Sequence, residues 1–326
     1  MKNFQIIKAL STNSAISSIN KENSAKFIAG GTNLVDLMKK NIATPDKLVD
    51  ITGLDLKKIE FLSGKVSIGA LAKNSQVAED SSIKEKHPLL ALALAAGASQ
   101  QIRHMATVGG NMMQRTRCSY FYNPDMPCNK RAPKSGCGAI GGSNRMAAIF
   151  GASESCIAVH PSDMCVALAA LDATVLVEGP KGKREIKFTD FHRLPGNTPE
   201  KDNTLLDKEL ITSVEIPDNN FNKNVHYLKV RDRSSYAFAL VSVAAALNIQ
   251  NNTIQNARLA MGGVAHKPWR LTEAEEFLKG KTVSETTFRQ AANLAMKGAK
   301  SYGDNDFKLT LGPNAIVEAL TIASSK

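Results

Sequence analysis

KFIAGGTNLVDLMK, residues 26–39, opens with four residues suited to a buried strand and turns at Gly30-Gly31. It continues with Leu34, Leu37 and Met38 at helical spacing, so a helix is expected to start near Thr32. A strand that runs through a glycine pair into a helix leaves free backbone amides at the helix N-terminus. The helix macrodipole adds partial positive charge there, and glycine has no Cβ to hold an anion away. Ala29-Gly30-Gly31-Thr32-Asn33 is therefore a candidate pyrophosphate cradle, with the Thr32 hydroxyl and the Asn33 amide as further donors. Thr107-Val108-Gly109-Gly110-Asn111 repeats the pattern with the same threonine and asparagine. Each pair alone reads more readily as a tight turn. Two copies with the same dressing point to a long diphosphate ligand.

Outward from these loops the chain reads as short α/β units. Residues 48–51 and 65–68 have strand character, and residues 89–98 form an alanine-rich stretch expected to be a buried helix. Periodicity disappears over residues 112–158 and returns at residues 164–171, a helix. A hairpin follows, with strands at 173–177 and 184–188 around Gly179-Pro180-Lys181-Gly182. Residues 192–207 (HRLPGNTPEKDNTLLD) are polar and turn-rich, the pattern of a surface loop. A boundary is expected near residues 218–224, dividing a domain over 1–217 from a second over 222–326. In the second, 237–249 is strongly apolar, 257–261 is a short strand candidate, and 273–278 and 285–297 are helix candidates. Gly136-Cys137-Gly138-Ala139-Ile140-Gly141 matches a dinucleotide fingerprint as text. It follows Arg131-Ala132-Pro133-Lys134-Ser135 instead of a strand, so a Rossmann reading is rejected.

Of the 326 residues, 43% are hydrophobic and 22% charged, an ordinary globular mix that excludes disorder, collagen and a long coiled coil for the bulk of the chain. The longest apolar run, Pro88–Ser99, is short of the ~20 residues that cross a bilayer, so no membrane span is expected. The opening MKNFQIIKAL has no signal-peptide core. The expected compartment is the cytoplasm, or the periplasm by co-export with a partner that carries the signal. Lysine and arginine exceed aspartate and glutamate by 41 − 30 = 11, which favours phosphate-bearing cofactors or acidic protein surfaces. No nucleic-acid motif accompanies the charge, and nucleic acid is not an expected partner.

Five cysteines, at 118, 128, 137, 156 and 165, crowd into one stretch. Cys165 lies in the apolar run MCVALAAL and reads as a small buried residue. The other four are separated by nine, eight and eighteen residues, without the CxxC pairs of zinc knuckles or the compact spacing of ferredoxins. Arg115, Arg117, Lys130, Arg131 and Lys134 lie beside the first three, with only Asp125 opposing nearby, a basic shell suited to thiolates. Spacing alone leaves an iron–sulfur cluster, zinc and free thiols all open.

Together these pieces resemble one family, the FAD-binding subunits of the molybdenum hydroxylases, the xanthine dehydrogenase and aldehyde oxidoreductase group. The resemblance rests on FIAGGTNLVDLMK (27–39), ATVGGNMMQRTRCSYF (106–121), AIFGASESCIAVHPSDMCVALAALDA (148–173), FHRLPGNTP (191–199), LITSVEIP (210–217) and YLKVRDRSSYAFALVSVA (227–244). The four-cysteine segment is similar to the branch that adds a [4Fe–4S] cluster, the periplasmic-type aldehyde oxidoreductases. The fold this implies is α+β: a two-part FAD-binding domain of the vanillyl-alcohol-oxidase type, with a cysteine-rich lobe inserted over 112–158, then a small α+β C-terminal domain. The resemblance implies FAD held by Phe27, Ile28, Ala29, Gly30, Gly31, Thr32, Asn33 and Leu34 around the pyrophosphate. Thr107, Gly110 and Asn111 would come from the second loop, with Asp163, Ile211 and Lys229 nearby. It implies Cys118, Cys128, Cys137 and Cys156 as ligands of the cluster. The implied partners are a molybdenum-cofactor large subunit, a [2Fe–2S] small subunit and an external acceptor (ferredoxin-like, quinone or NAD). Two other readings are a flavin subunit of a xanthine or N-heterocycle dehydrogenase, and a stand-alone FAD-dependent reductase.

Overall fold

The computed structural model describes residues 1–21 and 24–326, arranged as three sheets with helices between and around them. The first sheet is small and parallel, in the order Gln5–Lys8, Lys47–Asp50, Ala25–Ile28. Parallel neighbours need crossovers. The helices Thr12–Lys21 and Leu34–Lys39 lie on these crossovers, so the first glycine loop stands where the strand Ala25–Ile28 hands over to a helix. The second sheet is antiparallel, in the order Ile59–Leu62, Lys65–Gly69, Leu210–Pro217, Thr174–Gly179, Gly182–Lys187. Its central strand comes from residues 210–217, so everything between residues 70 and 173 is an excursion from one sheet. The second glycine loop and the cysteine lobe both lie on that excursion.

The third sheet runs Trp269–Arg270, Thr253–Gly262, Val241–Gln250, Asn224–Val230, all antiparallel. The apolar run expected over 237–249 becomes its inner strand. Val241, Val243, Ala245 and Leu247 face one core, shared with the helices Thr272–Leu278, Glu285–Ala295 and Phe307–Ser324. Ala244 and Ala246, on the opposite face, join the core of the second sheet and of the helices Pro88–Ala96 and Asp163–Ala170. A strand buried on both faces shows no polar alternation, which is why this run reads as uniformly apolar.

The short helices and hairpin expected from the sequence form close to the residues named. The strand Gln5–Lys8, the helix Thr12–Lys21 and the long helix Phe307–Ser324 were not expected. The last carries Gly312-Pro313 inside it, a pair that reads as a breaker. Gly312 lets Met296 approach, since a Cβ there would lie 3.0 Å from its sulfur. No helix among the described residues is long and apolar enough to cross a membrane.

Residues 113–158 hold one short helix, Ser119–Tyr122, and otherwise turns. Polar clamps replace a large core there. The Arg131 guanidinium donates to the carbonyls of Tyr120 (2.6 Å) and Phe121 (2.9 Å), and also to those of Pro124 and Met126. At the far end, Asn305 Nδ2 donates to Ala148 O (3.1 Å), and Lys308 Nζ donates to Ala147 O (2.8 Å) and Gly263 O (2.7 Å). Burial, with Arg145 adding to it, pulls the Lys308 ammonium down to about 7. Between that value and the ordinary lysine range the unfolded chain carries the extra proton, so stability rises with pH by up to ~1.4 kcal/mol per unit. The melting temperature is expected to climb from pH 7 to pH 9.5, with a smaller climb in Lys308→Met. Equal slopes in the two proteins would remove Lys308 as the cause.

Candidate functional site

The first loop is built for close approach. Gly31 sits at φ +71°, a conformation that L side chains rarely adopt. Gly30 serves a different need. A Cβ on it would lie 2.0 Å from Met105 O, so the bare backbone of the first loop packs on the segment that leads into the second. The helix then starts with Val35 N donating to Gly31 O (2.9 Å) and Leu37 N to Asn33 O (3.0 Å). Among the described residues, the amides of Gly31, Thr32 and Asn33 have no protein acceptor, which leaves them for an anion. The Asn33 Nδ2 atom is buried without a partner, while its Oδ1 accepts from Arg115 N at 3.0 Å. Phe27, Ile28, Ala29 and Leu34 flank the turn and are partly buried.

The second loop is more self-contained. Thr107 caps the helix Val108–Met112, its hydroxyl accepting from Gly110 N at 3.2 Å, and Gly109 N donates to Ala70 O at 2.8 Å. These amides are already engaged, so the second pair is a capped turn that supports the first loop. The Asn111 carboxamide carries the connection onward. Its oxygen accepts from Ser162 Oγ at 2.8 Å, directly before Asp163.

Ser162 caps the helix Asp163–Ala170 through Cys165 N (3.1 Å). Asp163 and Lys229, from different regions of the sequence, meet as a buried ion pair at 2.7 Å. Tyr227 donates its hydroxyl to the other Asp163 oxygen at 2.8 Å, and Lys229 also donates to Ala96 O at 3.1 Å. Burial and then the Asp163 charge hold the Tyr227 phenol well above its usual range, so it stays a donor. Ile211 is buried in the second sheet opposite Val177. Its neighbour Thr212 accepts from Ala70 N (2.9 Å), which places Ile211 behind the second loop.

A cleft of about 250 Å³ connects this region to the lobe. Ser162 and Asp163 line one end, Cys118 another, and Gly262 and Gly263 the third sheet's side. A much smaller cavity, of about 10 Å³, follows, lined by Cys118, Cys128, Cys137 and Cys156 together with Lys130. All four thiols are free of disulfides. Cys128 and Cys137 pair as an isolated antiparallel bridge, and Cys156 pairs with Ser153. Burial raises the Cys118 thiol and pushes Cys156 up to about 12, with Lys130 opposing the latter.

The basic shell read from the sequence is largely neutralised, and not by Asp125. Asp202 pairs with Arg115 (2.6 Å) and with the buried Lys130, while Asp36 takes Arg117 (3.3 Å) and Tyr122 (3.0 Å). Asp202 belongs to residues 192–207, expected as a surface loop. That segment instead straps the lobe, with His192, Pro195 and Pro199 buried. Nothing local in the sequence marks Asp202 as a counter-ion, because its partners are 72 and 87 residues away.

Residues 2–219 match the family described as the FAD binding domain in molybdopterin dehydrogenase, and residues 226–321 match the CO dehydrogenase flavoprotein C-terminal domain. The chain is 47% identical to the aldehyde oxidoreductase FAD-binding subunit PaoB of Escherichia coli K12, over 93% of this chain and 92% of that one. It is 28% identical to the glyceraldehyde dehydrogenase medium chain of Sulfolobus acidocaldarius, over 89% and 86%. Among solved structures, carbon monoxide dehydrogenase from Hydrogenophaga pseudoflava shares the fold, with a TM-score of 0.78 over 99% and 98% of the two chains at 22% identity.

Proposed function

The chain belongs to the FAD-binding subunits of the molybdenum hydroxylases, and from that premise we propose that it is the flavin relay of an aldehyde-oxidising complex. In this reading a molybdenum-bearing large subunit oxidises the aldehyde, and a small [2Fe–2S] subunit delivers the electrons. This chain passes them to an external acceptor, either ferredoxin-like, a quinone or NAD. FAD, when bound, supplies the change from one-electron to two-electron transfer. The observation that supports the proposal is the cleft shared by Asp163 and Cys118, since it runs from the buried Asp163–Lys229 pair to the four-thiol cavity.

This chain's residues hold and orient the cofactor. Gly31, Thr32 and Asn33 offer donors to the pyrophosphate. Asn111 and Ser162 fix the position of Asp163, and Lys229 and Tyr227 fix its orientation. Cys118, Cys128, Cys137 and Cys156 would hold a [4Fe–4S] cluster, with Lys130 and Arg115 favouring the anionic ligand set. Residues 1–217, with the lobe over 112–158, would form the FAD-binding domain, and residues 222–326 the C-terminal domain. The complex would work in the cytoplasm, or in the periplasm after co-export with a signal-bearing partner.

The test is flavin and metal analysis of the complex co-purified with its partner subunits. About one FAD is expected, with about four irons beyond those of the small subunit. Cys128→Ser is expected to lower iron by about four while flavin is retained. Unchanged iron in that variant would refute the cluster assignment, and a flavin-free complex would refute the relay.

A further inference from the structure

Behind Asp163 stands a group of side chains that the relay does not use. One ring nitrogen each of His160 and His192 and the Cys165 sulfur lie within 4.8 Å of one another, all buried. The two imidazoles are 4.1 Å apart, centroid to centroid. His192 Nε2 meets the carbonyl Met112 O at 2.9 Å, while its Nδ1 has no partner. A carbonyl only accepts, so Nε2 carries the proton and Nδ1 presents a lone pair. The neighbouring His266 repeats the arrangement: Nδ1 donates to Arg193 O at 2.8 Å and Nε2 is left without a partner. His160 Nε2 is also unpartnered. Burial lowers all three, His192 and His266 to about 4 and His160 well below its usual value, so the rings are neutral at pH 7. These residues are only 9%, 3% and 5% exposed, in the order His160, His192, His266. Buried polar atoms without a partner are rare in folded proteins, and the adjacent rings of His160 and His192 each carry one.

We propose that His160, Cys165 and His192 bind a zinc ion that keeps its fourth position for a water. Two imidazoles and one thiolate are a zinc donor set, and a backbone carbonyl on the remote ring nitrogen is the usual support of a zinc-bound histidine. Zinc ligands stand ~3.3–3.8 Å apart. Binding therefore draws the atoms in by up to about 1.5 Å, chiefly through rotation of two histidines that lie outside helices. Magnesium and calcium would need oxygen ligands instead. The nearby Lys130 charge works against a cation here, and its pairing with Asp202 offsets it. Cys165 is pushed up to about 12 by burial, so loading passes one thiol proton to solvent as the Zn–S bond forms. The ion would pin together the turn before Asp163, the helix Asp163–Ala170 and the start of the 192–207 strap. It is redox-inert and would position Asp163 without joining the relay.

The experiment is zinc loading of the chelator-treated complex, followed by elemental analysis and zinc X-ray absorption. About one zinc per chain is expected, with two nitrogens, one water oxygen and one sulfur in its shell. Affinity should rise about tenfold per pH unit. Cys165→Ser and His192→Ala should each weaken zinc binding by about 100-fold. An all-sulfur shell would place the zinc in the four-cysteine cavity and overturn the proposal. So would a flavin-loaded complex that takes up no zinc, or equal affinity in both variants. The absorption measurement on the unaltered protein stands even if a variant fails to fold.

Discussion

Alanine at position 30 is expected to strip the flavin from the complex. The added Cβ would sit 2.0 Å from Met105 O and 3.2 Å from Ala106 Cα, both backbone atoms, so no rotamer can relieve the clash. The first loop must lift off the segment that leads to Thr107, and the free amides of Gly31 to Asn33 lose their support. Overpacking of this kind costs ~1–3 kcal/mol. Flavin content should fall to about a tenth or less of the unaltered complex, since a shift of ~1 Å spoils a preorganised anion site. Gly53→Ala is the control. Its Cβ would meet the flexible end of Lys8 at 3.2 Å and Ala9 O at an ordinary 3.9 Å, and flavin should be retained. Full flavin occupancy in Gly30→Ala would show that the two loops need not touch.

Asp202→Ala should unlock the cysteine lobe. Lys130 is 2% exposed and donates to Pro199 O (2.7 Å) and to the Asp202 carboxylate. Without that carboxylate a buried ammonium and the Arg115 guanidinium lose their counter-charge, at a cost of ~3–5 kcal/mol. The melting temperature is expected to drop by roughly 10 °C, with iron content falling alongside. Burial pushes the Asp202 carboxyl up, but Lys130 and Arg115 outweigh it and hold the group below the usual carboxylate range. Its folded pKa is depressed, so the stabilisation is present at neutral pH and is lost only below about pH 4, as the carboxylate protonates. Asp202→Ala should therefore flatten the acid limb of the stability curve. An unchanged melting temperature and iron content would show that the 192–207 strap is not what holds the lobe.

What was legible in the sequence follows from range. The strand–glycine–helix turn at 25–39 is a local pattern, and so are the hairpin around Gly179–Gly182 and the helix Asp163–Ala170. The clustering of Cys118, Cys128, Cys137 and Cys156 was visible as well. Gly30 carries a second need that the sequence does not show: its missing Cβ lets the two loops touch. Asp163 and Lys229 were named separately, but nothing short-range shows that they pair across 66 residues. Asp202 escaped notice because a lone aspartate in a polar run looks solvated. The helix Phe307–Ser324 was hidden by Gly312-Pro313, which its neighbours tolerate because Met296 fills the space a side chain would need. His160, His192 and His266 carry no shared motif, and only the fold gathers them.

The Asn305 and Lys308 clamp also sets an order of events during synthesis. Its bonds to Ala147 and Ala148 span 157 to 161 positions. A nascent polypeptide emerging from the ribosome displays all four cysteines long before it can fasten that end of the pouch. The pouch therefore stays unlatched at first, and the latch engages only after the third sheet and the chain as far as Lys308 have been made.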